Sequence, residues 1–223
     1  ADFLTGGFGI LQQLQSPKLF AFGCRLGAYL AVDLGSLASA ALAAQRARKA
    51  AVKANSPGSL AFTFYIAAYL TIISGVSRQT LDLLRACRAL GGAEGAPPAW
   101  ASQILLANAL LRLSDLPAAR QVFNELEATH QGLPGPTAQA EYLLLKANLL
   151  SAEGAEREPL ELYTEAASLM AASERLQDVA LIGLAKCSHF VRHGKEEQAR
   201  EAAAALLPLA MQIFYLLNLK FPS

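Results

Sequence analysis

The sequence predicts an all-α protein built as an α-solenoid, in which antiparallel helix pairs stack along one axis. Three observations predict this fold. Small residues recur about every forty positions, at Gly27, Ala67, Ala107, Ala147 and Cys187. Large apolar residues follow them by about one helical turn, at Leu30, Leu70, Leu110, Leu150 and Phe190. A chain break then follows, at Leu34–Gly35, Ser74–Gly75, Ser114, Gly154 and Gly194. A period of this length is typical of stacked copies of one supersecondary unit.

Composition supports a helical chain with covered apolar surface. The 223 residues are 53% hydrophobic and only 17% charged, whereas soluble domains usually carry about a quarter charged residues. Strong helix formers dominate, and runs of alternating β-branched residues are absent. The apolar excess predicts either a large core or a surface that a partner or a membrane covers. We favour a protein partner.

The charge balance argues against nucleic acid as a partner. The formal net charge is +1, so no general attraction to phosphate backbones is expected. One basic cluster is present, at Arg46, Arg48, Lys49 and Lys53. It has no interleaved aromatic residues for base stacking. We interpret it as a solvated helix end, where cations suit the helix dipole, and a patch for an anionic partner is the alternative.

Cysteine usage indicates a reducing compartment. The three cysteines, Cys24, Cys87 and Cys187, are odd in number and far apart, so they predict neither a disulfide framework nor a Cys-x-x-Cys metal site. The first residues lack a basic region and a small-residue cleavage motif. We therefore expect an intracellular protein, cytoplasmic or nuclear. An organelle after loss of a targeting segment stays open.

The copies divide the chain into five repeats, at 20–59, 60–99, 100–139, 140–179 and 180–209. An N-terminal segment, 1–19, precedes them, and a capping or docking tail, 210–223, follows. Turns rich in Gly and Pro close the first three copies. At least ten helices are expected.

The third copy shows the predicted pair most clearly. A first helix runs from about Trp100 to Leu113, Asp115 caps the next helix, and a second helix runs from Leu116 to Thr129. In the fourth copy Pro159 falls near the start of the second helix. In the fifth copy Gly194 is expected to end the first helix in the left-handed conformation.

This pattern resembles the tetratricopeptide repeat, in units of about forty residues. The third copy carries the motif at Trp100, Ala107, Leu110, Ser114, Ala119, Phe123 and Leu126. The fourth carries it at Ala147, Leu150, Gly154, Pro159, Tyr163 and Ala166, and the fifth at Cys187, Phe190, Gly194, Ala199, Ala203 and Leu206. The second helices of the first two copies match more weakly, at Ser39, Ala43 and Arg46 and at Gln79, Leu83 and Ala86. The family's tryptophan is not at position 4, and a related helical-hairpin stack, SNAP-like or HEAT-like, stays open.

The resemblance implies a right-handed superhelix whose first helices line a concave groove, at positions 2, 5, 9 and 12 of each copy. Asn108 and Asn148 fall at position 9, where an amide can hydrogen-bond a bound peptide backbone. Leu144 and Leu111 fall at positions 5 and 12, and Arg112 and Arg192 one place further on. The alternative for the asparagines is an ordinary polar position on a helix face. The lysines that clamp a peptide carboxylate in chaperone-binding members are not matched.

Enzymatic chemistry is not predicted. The sequence contains no phosphate-binding loop, nucleophile elbow or zinc-protease motif. His189 and His193 are four residues apart and could share a metal, but Cys187 holds a packing position and His193 ends a helix. We therefore predict no catalytic residue, no metal site and no cofactor.

The sequence thus favours a non-enzymatic scaffold or adaptor that binds protein partners within a multi-subunit assembly. Two alternatives stay open. One is a membrane-associated subunit, since 19–44 and 60–75 are strongly apolar, although the second stretch is shorter than the roughly twenty residues that span a bilayer. The other is a helical regulatory domain of an enzyme.

Overall fold

The structure is a computed structural model that describes Gly23 and residues 37–129 and 133–220. Over these residues every regular element is an α-helix, which confirms the all-helical fold class. The helices are α1 (Leu37–Lys53), α2 (Pro57–Ser74), α3 (Arg78–Ala89), α4 (Ala99–Arg112), α5 (Leu116–Thr129), α6 (Gly135–Ala152), α7 (Glu158–Ala172), α8 (Leu176–Arg192) and α9 (Glu196–Lys220). The predicted segment 1–19, the first helix of the first copy and residues 130–132 of the third closing turn lie outside the described residues.

The chain divides into two compact units, Ala1–Leu113 and Ser114–Ser223. The first contains α1 to α4 and the second contains α5 to α9. The boundary falls at Ser114, the predicted turn in the middle of the third copy. The third copy therefore gives one helix to each unit.

Within each unit, consecutive helices pack against each other. The first helices of neighbouring copies also touch, since α2 contacts α4 and α6 contacts α8. Among the described residues, the second helices of neighbouring copies do not touch, since there is no contact between α1 and α3, between α5 and α7, or between α7 and α9. Each unit thus has the predicted arrangement of stacked helix pairs. The structure adds that the first helices lie close together and the second helices lie apart.

The turns inside the copies lie where the sequence predicts them. Ser114, Gly154 and Gly194 have φ angles of 61°, 94° and 68°, so each ends a helix in the left-handed region. The predicted cap at Asp115 is also present, because the backbone N–H of Ala118 donates to Asp115 Oδ1 at 3.2 Å. The third copy's second helix spans Leu116–Thr129 as predicted.

The second helix of copy two is one residue out of the predicted register. Thr80, Leu84 and Cys87 are its buried residues, whereas the sequence analysis placed Gln79, Leu83 and Ala86 there. The cause is a longer turn, in which the left-handed residue is Gly75. Ser77 and Thr80 then form a capping box, with the Ser77 N–H donating to Thr80 Oγ1 at 3.1 Å.

Copy one shows a similar departure. On α1 the buried small residues include Ala40, Ala44 and Ala47, while Arg46 is only half-buried and Ser39 is half-buried. The predicted Ala43 is buried as well. This copy packs through a wide alanine face, which a motif with one small residue per turn does not describe.

At the C-terminal end, α9 continues from Glu196 to Lys220. The predicted boundary between the repeats and the tail lies at residue 209, and α9 crosses it without a break. No glycine interrupts this stretch, and strong helix formers surround Pro208. The proline removes one backbone hydrogen bond inside the helix but does not end it.

The apolar stretch 60–75 forms most of α2, with Ala61, Ile66, Ala68 and Ile72 buried. This agrees with the interpretation of the stretch as a packed helix. Among the described residues, no helix is both long enough and apolar enough to cross a bilayer.

Candidate functional site

The candidate site is an exposed apolar face of α8. Leu181, Leu184 and Val191 are 50%, 55% and 63% exposed, and Ser188 between them is also exposed. Their spacing of three, seven and ten residues from Leu181 places all four on one side of a helix. We name these four residues the α8 stripe. In the register of the fifth copy they occupy positions 2, 5, 9 and 12, the groove positions that the resemblance implies.

The opposite face of α8 fixes the helix in the unit. Ile182, His189 and Phe190 are buried there. Gly183 lets α9 approach, because a Cβ atom at this position would lie only 2.3 Å from Leu206 Cδ2. The α8 stripe is therefore held outward by packing on the other side of the helix.

The neighbouring first helix, α6, packs against α8 and carries two of the predicted site residues. Leu144 is half-buried and packs against the core cluster that includes Tyr163 and Met170. Asn148 is half-buried, and its Oδ1 accepts a hydrogen bond from the Tyr163 hydroxyl at 2.9 Å. This bond orients the amide, and its Nδ2 group has no acceptor among the described residues.

A buried polar network joins α6 to α8. Ser151 and His189 are fully buried, and His189 Nδ1 lies 2.9 Å from Ser151 Oγ. His189 Nε2 lies 3.1 Å from the backbone carbonyl of Glu156. Because a carbonyl only accepts, Nε2 carries the proton and Nδ1 accepts the proton of the Ser151 hydroxyl. The network holds His189 as a neutral imidazole.

Arg192 completes this network. Its Nη1 donates to Ser151 Oγ at 2.6 Å. The Ser151 hydroxyl thus accepts a hydrogen bond from Arg192 and donates one to His189, so each of these donors has an acceptor. The sequence predicts Arg192 as an ion-pairing residue beside the groove, and in the structure Arg192 connects copy five to the end of α6.

The charges around His189 oppose its protonation. Burial lowers the pKa of His189, and the nearby His193, Lys195 and Arg192 lower it further, while the bond to the Glu156 carbonyl acts in the other direction. Burial likewise raises the pKa of Tyr163 to about 12, against the opposing effects of Ser151 and Arg192. Both side chains are therefore uncharged at neutral pH.

Glu141, at position 2 of the fourth copy, has a carboxyl group whose pKa is strongly raised. Burial raises its pKa to about 7, the negative charge of Asp178 adds to this effect, and Arg175 opposes it. Arg175 itself forms an ion pair with Asp178. Glu141 therefore changes its protonation state near neutral pH.

The other predicted site residues lie on α4, in the first unit. Asn108 and Leu111 are half-buried. Arg112 Nη1 donates to the backbone carbonyl of Ile72 at 2.8 Å, in the last turn of α2. Arg112 and Arg192 thus have the same structural role in different units. Each donates a hydrogen bond to the last turn of the first helix in the preceding copy.

The ring nitrogens of His189 are not free for a metal shared with His193. The rings of His189 and His193 are 4.5 Å apart, but both nitrogens of His189 are already engaged. In the part of the chain that the structure describes, no group of three His, Cys, Asp or Glu side chains could hold a metal ion. Cys87 is buried, and burial raises the pKa of its thiol to about 11, so it is not a reactive thiolate.

The α8 stripe and the Ser151–His189 pair were not among the site residues predicted from the sequence. The stripe could have been predicted from the sequence, because Leu181, Leu184 and Val191 occupy groove positions of the fifth copy. The pair was not predictable, because Ser151 and His189 are far apart in sequence and meet only when α6 and α8 pack.

The chain matches no protein-family model, no curated protein and no solved structure.

Proposed function

We propose that this chain is a non-enzymatic scaffold or adaptor that binds a partner protein within a larger assembly, and that the partner covers the α8 stripe. The observation that carries the proposal is the exposure of Leu181, Leu184 and Val191 on one face of a well-packed helix. Apolar side chains that are exposed together on a rigid element mark interaction surfaces.

Covering the stripe is energetically favourable. Burying a fully exposed leucine or valine side chain contributes about 1.5–3 kcal/mol. The three apolar side chains of the stripe are about half exposed, so each gains about half of that amount when a partner covers it. The stripe is linear and follows the helix axis. A linear apolar face of this kind suits an extended segment or a helix with apolar residues at regular spacing.

Asn148 supports the same proposal. Its carbonyl oxygen accepts from Tyr163, and its NH₂ group makes no hydrogen bond among the described residues. An amide NH₂ group on the first helix of a copy can donate to a backbone carbonyl of a bound segment. Arg112 and Arg192 belong to the scaffold that holds the first helices together, because both are engaged with the preceding copy.

The test is quantitative co-purification with matched variants. Leu184→Glu/Val191→Glu places two carboxylates on the stripe, and Leu207→Glu places one at a leucine of α9 that is also exposed. The proposal predicts that a specific set of proteins binds the unaltered chain and Leu207→Glu and is lost from the stripe variant. It also predicts that the purified partner binds directly with the same pattern. Equal recovery with all three proteins would refute the stripe as the binding surface.

A further inference from the structure

A groove opens between α7 and α8 on a face that does not include the α8 stripe. Its volume is about 550 Å³, and Leu160 and Phe190 contribute its apolar surface. Glu161 and Glu165 of α7 and Lys186 of α8 also line it. The groove exists because α7 and α9 both pack on α8 but do not contact each other.

Two carboxylates make one side of the groove acidic. Glu161 and Glu165 are exposed and stand one turn apart on α7, so they lie on the same side of the helix. Among the described residues neither has an ion-pair partner. The neighbouring hydroxyls of Thr164 and Ser168 donate to carbonyls of their own helix and leave the carboxylates unengaged.

The chain also carries a helix of complementary character. On α1, Lys49 and Lys53 are exposed and stand one turn apart. Leu42 and Val52 are 50% and 63% exposed beside them. The other face of α1 is buried through alanines such as Ala47. An apolar and basic face is therefore presented to solvent on a helix whose other side is fixed in the first unit.

We propose that α1 of a second copy of this chain docks at the α7/α8 groove. Lys49 and Lys53 have the same one-turn spacing as Glu161 and Glu165, so two ion pairs form in one register. Val52, between the lysines, covers the apolar surface of Leu160 and Phe190. The contact joins two different surfaces and is therefore head-to-tail, so copies add to a growing chain or close into a ring.

The expected affinity is modest. The groove holds a few side chains rather than a whole helix, and exposed ion pairs are screened by salt. Association is expected at micromolar protein concentrations and low ionic strength, and it should weaken as salt is added. Lys186 opposes the incoming lysines, so Lys186→Glu should strengthen association.

The test uses the full chain and two charge-reversal variants, measured by sedimentation velocity over a range of concentrations. Glu161→Lys/Glu165→Lys destroys the groove but keeps α1, and Lys49→Glu/Lys53→Glu destroys the basic face but keeps the groove. Each variant alone should be monomeric. In an equimolar mixture, the intact α1 of the first variant meets the intact groove of the second, and the two reversed surfaces again carry opposite charges. The mixture should therefore associate, although each variant alone does not.

The control is Glu197→Lys/Glu201→Lys, which makes the same charge change at two exposed residues of α9 and should associate like the unaltered chain. Four results would overturn the proposal: an unaltered chain that stays monomeric at low salt, oligomers that persist in either reversed variant, a mixture that does not associate, or a chain that binds a basic helix of another protein at this groove but does not bind itself. Leu184→Glu/Val191→Glu should leave self-association unchanged, which separates this inference from the proposed function.

Discussion

Ser151 Oγ and His189 Nδ1 lie 2.9 Å apart and join the first helices of two neighbouring copies. Both side chains are fully buried, so neither can exchange its partner for water. Buried hydrogen bonds of this kind cost most when one partner is removed, because the other is left unsatisfied. The pair therefore fixes how α6 and α8 pack, and with that packing the direction of the α8 stripe.

The first prediction concerns this bond. Ser151→Ala leaves His189 Nδ1 and Arg192 Nη1 without their partner, so the free energy of unfolding should fall by about 1–3 kcal/mol. Urea denaturation followed by circular dichroism measures it. Ser188→Ala is the matched control, since the Ser188 hydroxyl is exposed and donates only to its own helix at Leu184. A loss as small as that of the control would show that the network contributes little.

The second prediction concerns acid pH. The pKa of His189 is lower in the folded chain than in the unfolded chain, so the unfolded state binds the extra proton first. The stabilisation by neutral His189 is complete above the ordinary histidine pKa of about 6.5, and it is lost as pH falls below that value. His189→Gln should remove this part of the pH dependence. Parallel stability curves for both proteins between neutral and mildly acidic pH would contradict the assignment.

The third prediction concerns Glu141 and has the opposite sign. Its pKa is raised to about 7 in the folded chain, so the folded state retains a proton that the unfolded state releases near its usual pKa. Stability should therefore fall as pH rises through this window. Glu141→Gln removes the charge, and its stability relative to the unaltered chain should increase with pH, by on the order of 1 kcal/mol at alkaline pH. A difference that does not change with pH would rule out the shift.

The fourth prediction tests packing in the first unit. A Cβ atom at Gly58 would lie 1.9 Å from the backbone carbonyl oxygen of Glu94, which cannot move aside as a side chain can. Helix propensity alone predicts that Gly58→Ala gains about 0.5–1 kcal/mol. The contact predicts a loss instead. Thermal unfolding decides the sign, with Gln79→Ala at the exposed start of α3 as the control for propensity.

The sequence predicts the repeat and most of its turns because these depend on local chemistry. Ser114, Gly154 and Gly194 mark helix ends wherever the helices later pack. The register of copy two was wrong by one residue, because it depends on how Ser77 and Thr80 cap α3 after the longer turn at Gly75. The permissive motif could not distinguish two neighbouring positions that are both compatible with a helix.

The candidate site was only partly predictable, for a physical reason. A position on a helix face can be read from spacing, so Asn148 and Leu144 could be placed on the first helix of the fourth copy. Whether a polar residue is engaged depends on packing between copies, as for Arg192 and Ser151. Arg112 shows the same limit, since its partner is a backbone carbonyl of α2 that no side-chain pattern marks.

The most direct measurement of the central claim is site-specific photo-crosslinking in native assemblies. A photoreactive residue at position 184 samples the α8 stripe, and one at position 207 samples an equally exposed leucine site on α9. We expect a discrete crosslink to a partner protein from position 184, which is lost in the presence of Val191→Glu, and no such product from position 207. The absence of a crosslink from position 184, or the same product from both positions, would contradict the central claim.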